Sequence, residues 1–226
     1  MIKKKENTPI REKFEVSISK EELNQLPTEK YSGDIIVVDD DAGVEEAVRQ
    51  LREAPIIGFD TETKPSFQKG QINHVALLQL AIRSKTFLVR LSKIGMPEQI
   101  KEILEDEKIC KVGLSIKDDF HSINKMVKIE PKGFVDLQEY VKKFKISDCS
   151  LTKIHSIVFG KRISKSQQLT NWEASTLTPK QQEYAALDAL ACINIYQHLK
   201  SGAFIPEKSQ FYKEITVLSA DESKNA

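Results

Sequence analysis

The sequence predicts an α/β fold in which a mixed sheet of about five to six strands is flanked by helices. Three observations carry this expectation. Apolar runs of strand length cluster between residues 35 and 91. From Pro97 onward the apolar period lengthens to that of helices, and the patterned part of the chain ends in one long helix from about Thr178 to Leu199.

The elements follow in order. Residues 1–33 are polar and mixed in charge, broken by Pro9 and Pro27, with a short helix around Ser19 to Gln25; they read as a partly ordered N-terminal arm. Ile35-Ile36-Val37-Val38 reads as a strand, and Asp39 to Asp41 supply N-cap candidates for a helix through about Glu53. A metal site in that acid triplet is the less favoured reading. Ile56 to Thr63 is a second strand, and Gln68-Lys69-Gly70-Gln71 has the composition of a hairpin connection. His74 to Ile82 is apolar enough for burial on both faces, and Thr86 to Leu91 gives a further strand, so the three form an antiparallel meander.

Ile100, Ile103 and Leu104 mark one face of a short helix beginning near Pro97. Lys111 to Leu114 reads as the next strand, running into a helix from Ile116 to Met126, and Gly133 to Leu137 as a short strand or an extended link. Leu151 to Phe159 is helical by pattern and is followed by a basic loop from Gly160 to Ser166. Thr178-Pro179-Lys180-Gln181 opens the long helix with an N-cap, a first-turn proline and a capping-box acceptor. The tail after Pro206 thins into charge and reads as frayed. The expected organisation is an arm over 1–33, one domain over 34–205 and a tail over 206–226.

Composition narrows the classes of function. At 226 residues, 40% hydrophobic and 30% charged, the chain fits one large core. With 34 basic against 33 acidic residues, no global field announces nucleic acid, and such binding requires a local basic strip. Cys110, Cys149 and Cys192 are widely spaced and form no Cys-x-x-Cys pair, which argues against disulfides and structural zinc. The opening residues lack the apolar stretch of a signal peptide and no run approaches a membrane span, so a cytoplasmic setting without membrane contact is expected.

The chemistry centres on Ile56-Ile57-Gly58-Phe59-Asp60-Thr61-Glu62-Thr63. On a strand, alternate side chains share a face, so Asp60 and Glu62 stand side by side while Phe59 and Thr61 point away. Their repulsion is relieved by a divalent cation between them, since hard cations take carboxylate oxygens. Tyr184 and Asp188, four residues apart on the long helix, share one helical face. Near the start of the helix from Ile116, Asp119 lies beside the apolar stripe of Ile116, Phe120 and Ile123, with Asp118 as its rival. Lys161, Arg162 and Lys165 are candidates for contact with backbone phosphates, the alternative being a solvated loop. Trp172 is a candidate for stacking on a terminal base, the alternative being a core residue.

In this order the motifs resemble the tyrosine-bearing branch of the DEDD superfamily of 3′-to-5′ exonucleases, most closely its Werner-type exonuclease domains and more distantly its ribonuclease D group. Ile57 to Glu62 with Val75 to Leu80 matches the first motif, Gly113 through Asp119 to Ile123 the second. Asn171-Trp172, Leu177-Thr178 and Gln182 to Ala189 match the third. The resemblance covers roughly residues 35–200 and implies a ribonuclease H-like, DnaQ-like exonuclease fold. It assigns the second-motif carboxylate to Asp119, leaving Asp118 as a neighbour; Asp136 also has a counterpart in the family but is read as structural, not as a metal ligand. None of His74, His121, His155 or His198 lies where a histidine branch would carry its base, which marks the tyrosine branch.

The resemblance further implies two Mg²⁺ or Mn²⁺ ions, with Asp60 bridging both, Glu62 and Asp188 completing one site, and Asp119 holding the second ion through water. Tyr184 would orient the attacking water. The expected substrate is nucleic acid with a 3′ end, single-stranded at the terminus, with DNA somewhat favoured over RNA. Two other classes compete: a catalytically silent nucleic-acid-binding or scaffold module of the same fold, which would be expected to have lost a ligand, and a metal phosphatase, for which clustered histidines are missing.

Overall fold

The computed structural model describes residues 13–66 and 73–215. Among them the chain runs β1 (Lys13–Val16), α1 (Lys20–Gln25), β2 (Asp34–Val38), α2 (Asp41–Glu53), β3 (Ile56–Thr63), β4 (Val75–Ile82) and β5 (Lys85–Val89). It continues through α3 (Leu91–Ile94), α4 (Glu98–Glu105), β6 (Cys110–Gly113), α5 (Ile116–Ile123), β7 (Phe134–Asp136), α6 (Leu137–Tyr140), α7 (Leu151–Phe159), α8 (Pro179–Lys200) and β8 (Tyr212–Ile215). The expected hairpin connection at 68–71 lies outside the described residues. No helix among them is long and apolar enough to cross a membrane.

Six strands form one sheet in the order β2-β5-β4-β3-β6-β7. β4 pairs antiparallel with both neighbours, whereas β2 with β5, β3 with β6 and β6 with β7 are parallel, so β4 alone opposes the other five. The expected meander of three strands is therefore present, extended on each side by parallel strands. β3 and β4 lie at the centre, and their apolar residues are buried on both faces, as unbroken apolar runs require.

Each face carries its own core. On one, α2, α4 and α5 pack Leu51, Ile103 and Phe120 over Ile57, Phe59 and Leu80. Phe59 and Phe120 stack with ring centres 5.4 Å apart, and Phe134 meets both edge-on. On the other face α8 lies across the sheet with Ala185, Ala186 and Ala189 buried. The small residues let the helix come down onto the strand: a Cβ on Gly58 would stand only 2.0 Å from the Ala189 carbonyl oxygen. The helix starts where the sequence marks it, with Thr178 and Gln181 exchanging the reciprocal bonds of a capping box. Asp40 of the acid triplet likewise caps α2, accepting from the Gly43 amide at 2.8 Å.

The segments read as arm and tail meet in space. β1 pairs antiparallel with β8, Val16 is fully buried, and the Ile18 amide donates to Asp148 at 2.8 Å. Val16, Ile18 and Phe211 thus join the apolar cluster that includes Ile154 and Ile193. Four-residue strands whose partner lies almost 200 residues away leave no local periodic signal, which is why the sequence pattern shows only polar chain there.

Close packing of α8 on β3 generates a prediction. Gly58→Ala forces the helix and strand apart and lowers stability by about 1–3 kcal/mol, the usual range for overpacking a tight core. Urea denaturation measures it; an unchanged midpoint would show that α8 does not sit this close to β3.

Candidate active site

β3 delivers Asp60 and Glu62 to one face, as strand alternation dictates. That face is the one α8 covers, and the seat of Ala189 on Gly58 brings the preceding residue, Asp188, over them. Oxygens of Asp60, Glu62 and Asp188 all lie within 4.8 Å of one another. Asp119 arrives from α5, in the opposite layer, at the end of β3 beyond the last β3–β6 pair at Gly58. Its carboxylate accepts a hydrogen bond from the Thr61 hydroxyl. Thr61 points away from Asp60 along the strand, as the sequence indicates, and so is the side chain placed to meet a helix from that layer.

α5 is itself held by an acid. Asp136 accepts from the amides of Ser115 at 3.3 Å and Ile116 at 3.0 Å, and from Gln138 at 2.9 Å. Ser115 has a left-handed φ of 57°, unusual for a residue with a Cβ, and the Asp136 bonds offset that local cost. Asp136 is thereby occupied with backbone, in keeping with its structural assignment. Asp118, one residue before Asp119, is exposed.

Asp60, Glu62 and Asp188 share a cavity of about 240 Å³ whose walls include Leu114, Leu151, Lys165, Gln168 and Tyr184, and Asp119 stands behind it on Thr61. None of the four carboxylates is paired with a lysine or arginine among the described residues. Burial therefore dominates their acidity. It raises Asp60 well above the ordinary carboxylate range, with the Asp188 charge adding to it. It raises Glu62 to about 10, reinforced by Asp60, Asp188 and Asp119. Asp119 rises to about 8 through burial and then Asp60, against the Thr61 hydrogen bond. Asp188 rises to about 7 through burial, moderated by the Tyr184 hydroxyl and by Lys165. Burial and the neighbouring carboxylates push the Tyr184 phenol above its ordinary value, so it keeps its proton. Unpaired carboxylates, buried or half-buried in one small space, with no soft or imidazole ligand among those three clustered acids, fit a hard divalent cation.

The other sequence candidates separate. Lys165 lines the cavity. Lys161 is paired with Glu29 at 3.1 Å, and the Arg162 guanidinium donates to the Leu26 carbonyl at 3.2 Å, so neither borders the acids. In this structure the N-terminal segment engages both of these candidates for phosphate contact. Trp172 has no exposed surface and packs with Leu77, Leu88 and Leu177, its ring 6.0 Å from that of Tyr184. A buried ring cannot stack on an incoming base, so Trp172 is a core residue that backs Tyr184. Two residues escape the sequence reading, Thr61 and Gln79. Gln79 is the cross-strand partner of Asp60 and is fully buried; its amide within an apolar strand is the signal that could have drawn notice.

A family model described as a 3′-5′ exonuclease matches residues 35–202. The mouse bifunctional 3′-5′ exonuclease/ATP-dependent helicase WRN is 32% identical over 161 residues, covering 69% of this chain and 12% of that protein. The exonuclease 3′-5′ domain-containing protein 2 of Drosophila melanogaster is 33% identical over 148 residues, covering 64% of this chain and 25% of that one. An Arabidopsis thaliana 3′-5′ exonuclease is 29% identical over 150 residues, with 64% and 52% covered. The chain thus spans between 12% and 52% of the length of these relatives. Among solved structures, the Aedes aegypti Nibbler EXO domain superposes with a TM-score of 0.70 at 21% identity, covering 80% of this chain and 97% of that one. Escherichia coli RNase D superposes with a TM-score of 0.65 at 22% identity, covering 74% and 44%. The ribonuclease H-like exonuclease fold implied by the motifs is the fold observed.

Two predictions follow from the electrostatics. Each carboxyl has a folded pKa above its unfolded value near 4. The native state therefore keeps protons that the unfolded chain has shed, in windows that close at about 7 for Asp188, 8 for Asp119 and 10 for Glu62. Stability must fall as pH rises through those windows. In EDTA the melting temperature is expected to drop by several degrees between pH 5 and pH 8, to recover with Mn²⁺ at pH 8, and to drop less in Asp60→Asn. A melting temperature that climbs over that range in EDTA contradicts this. For the neighbouring acids, Asp119→Ala should weaken Mn²⁺ binding about tenfold or more while Asp118→Ala leaves it unchanged, since successive helical residues point about 100° apart. Calorimetric titration decides, and the reverse ranking would move the site to Asp118.

Proposed function

We propose, for a chain that belongs to the 3′-5′ exonuclease family, that it removes nucleotides one at a time from the 3′ end of a nucleic acid by hydrolysing the terminal phosphodiester. The single observation that carries this reading is the convergence of Asp60, Glu62 and Asp188 within 4.8 Å, with Asp119 tied to the same strand through Thr61. A decayed module of the same fold has no need to retain unpaired buried carboxylates, which destabilise it at neutral pH.

Asp60, Glu62, Asp119 and Asp188 would hold divalent cations. A bound pair, Mg²⁺ or Mn²⁺, would supply the Lewis acidity that activates water and stabilises charge on the phosphate and the leaving 3′ oxygen. The chain's residues do the rest. Tyr184, kept protonated by burial and by the Asp188 charge, holds its hydroxyl at the cavity wall, where it orients water by hydrogen bonding and takes no proton from it. Asp188 anchors that hydroxyl, and Trp172 backs the ring. Leu114 and Leu151 give the cavity apolar walls suited to a sugar or base, and the ammonium of Lys165 meets the incoming phosphate. The bond from phosphorus to the 3′ oxygen breaks, water supplies the new oxygen, and a nucleoside 5′-monophosphate leaves.

A single-stranded terminus suits a cavity of about 240 Å³ walled by Leu114, Leu151 and Tyr184. DNA is the favoured substrate in our reading, on the resemblance of the motifs to Werner-type domains; an RNA substrate is the second reading, favoured by the superposition on RNase D. Matched 3′-labelled and 5′-labelled DNA and RNA oligonucleotides, digested with Mg²⁺, Mn²⁺ or EDTA, test both. Stepwise shortening of the 5′-labelled strand with either metal, abolished by EDTA and by Asp60→Asn, is expected; internal cleavage or full activity in EDTA refutes the proposal. Tyr184→Phe should lower single-turnover rates roughly 10–1000-fold, the scale of one positioned catalytic group, with Mn²⁺ affinity little changed. Wild-type rates from mildly acidic to mildly alkaline pH would reduce Tyr184 to packing.

A further inference from the structure

A second cavity, of about 220 Å³, opens on the other side of Tyr184 from the acids, walled by Lys30 and Tyr31, by Gln167, and by Lys180 and Glu183 of α8. Its outer wall is the N-terminal segment, which is strapped onto the loop after α7. Glu29 N donates to the Arg162 carbonyl and Arg162 N to the Pro27 carbonyl, each at 2.9 Å. The Lys161–Glu29 ion pair and the Arg162–Leu26 bond reinforce the strap, and the Tyr31 hydroxyl donates to the Asp34 carbonyl at 2.8 Å. Lys161 and Arg162, which the sequence suggested as phosphate contacts, hold this wall in place. Residues 28–31 precede residue 35, where the family match begins, so the wall is not part of the matched domain.

The charge left over is positive. Lys161 neutralises Glu29. The ammonium groups of Lys30 and Lys180 have no acidic partner among the described residues, against one unpaired carboxylate, Glu183. Gln167 and the hydroxyl of Ser166 add neutral hydrogen-bonding groups at the same wall. Tyr184 lines both cavities, so the two neighbour each other at that residue.

We propose that this second cavity is a groove for the substrate strand. A single strand of nucleic acid, with its 3′-terminal nucleotide among the acids, runs past Tyr184 and lays phosphates from its 5′ side against Lys30 and Lys180. This rests on the exonuclease reading and extends it, since it makes the strap, outside the matched domain, part of the grip on the polymer.

The test is fluorescence anisotropy of a 5′-labelled twelve-nucleotide oligothymidylate in Ca²⁺, comparing the full chain with Lys30→Ala/Lys180→Ala. Affinity should fall about tenfold at about 0.1 M salt, and the slope of log affinity against log salt should shrink by about 1.4, two single-strand phosphate contacts. The control Lys125→Ala/Lys128→Ala removes the same charge at residues bordering neither cavity and should stay within about twofold of wild type. Unchanged affinity and slope in Lys30→Ala/Lys180→Ala, or an equal loss in the control, overturns the groove. Hydrolysis of the p-nitrophenyl ester of thymidine 5′-monophosphate, which has no strand to lay in the groove, reports separately on the reaction. Its absence in wild type counts against the exonuclease reading, whereas the anisotropy result bears on the groove.

Discussion

Everything at this site depends on the contact between Gly58 and the backbone of α8 at Ala189. A strand can place two carboxylates on one face by alternation alone, but a third reaches them only if the covering helix approaches without side chains in between. Gly58 and the alanines of α8 provide that approach. The consequence is electrostatic: like charges share an enclosed space with no basic partner, and burial together with mutual repulsion suppresses their acidity. The arrangement costs stability at neutral pH and concentrates oxygen ligands suited to a cation.

The fourth carboxylate shows how a sheet edge lets two layers serve one site. Asp188 comes from the helix on one face and Asp119 from the helix on the other, and they converge because β3 extends beyond its pairing with β6. Thr61, facing Asp119's layer, ties that acid to the strand that carries the rest. Asp136 and the stack of Phe59 on Phe120 fix the helix that bears it. Removing any of these supports moves Asp119 without touching it.

Much of the site was legible in the sequence where local rules govern. Strand alternation paired Asp60 with Glu62, helical spacing paired Tyr184 with Asp188, and Thr178 and Gln181 announced the long helix by capping. The choice of Asp119 over Asp118 came from the motif resemblance, and the exposure of Asp118 agrees with it. What stayed hidden depends on contacts distant in sequence. A basic loop looks the same whether its cations face phosphate or, as with Lys161 and Arg162, are held by Glu29 and Leu26 from more than 100 residues earlier. The strap itself gave no periodic signal. Trp172 lies in a polar stretch, and only the tertiary fold closes Leu77, Leu88 and Leu177 around it.

Without a cation, protons keep the clustered carboxyls from repelling one another. With Asp188 near 7, Asp119 near 8 and Glu62 near 10, the metal-free protein at pH 7 carries protons that a cation must displace. Calorimetric titration with Mn²⁺ at pH 7 in two buffers of different ionisation enthalpy counts them. Release of about one proton or more per protein, lost in Asp60→Asn, is the predicted result; binding with no proton release, or no binding at millimolar Mn²⁺, would contradict it.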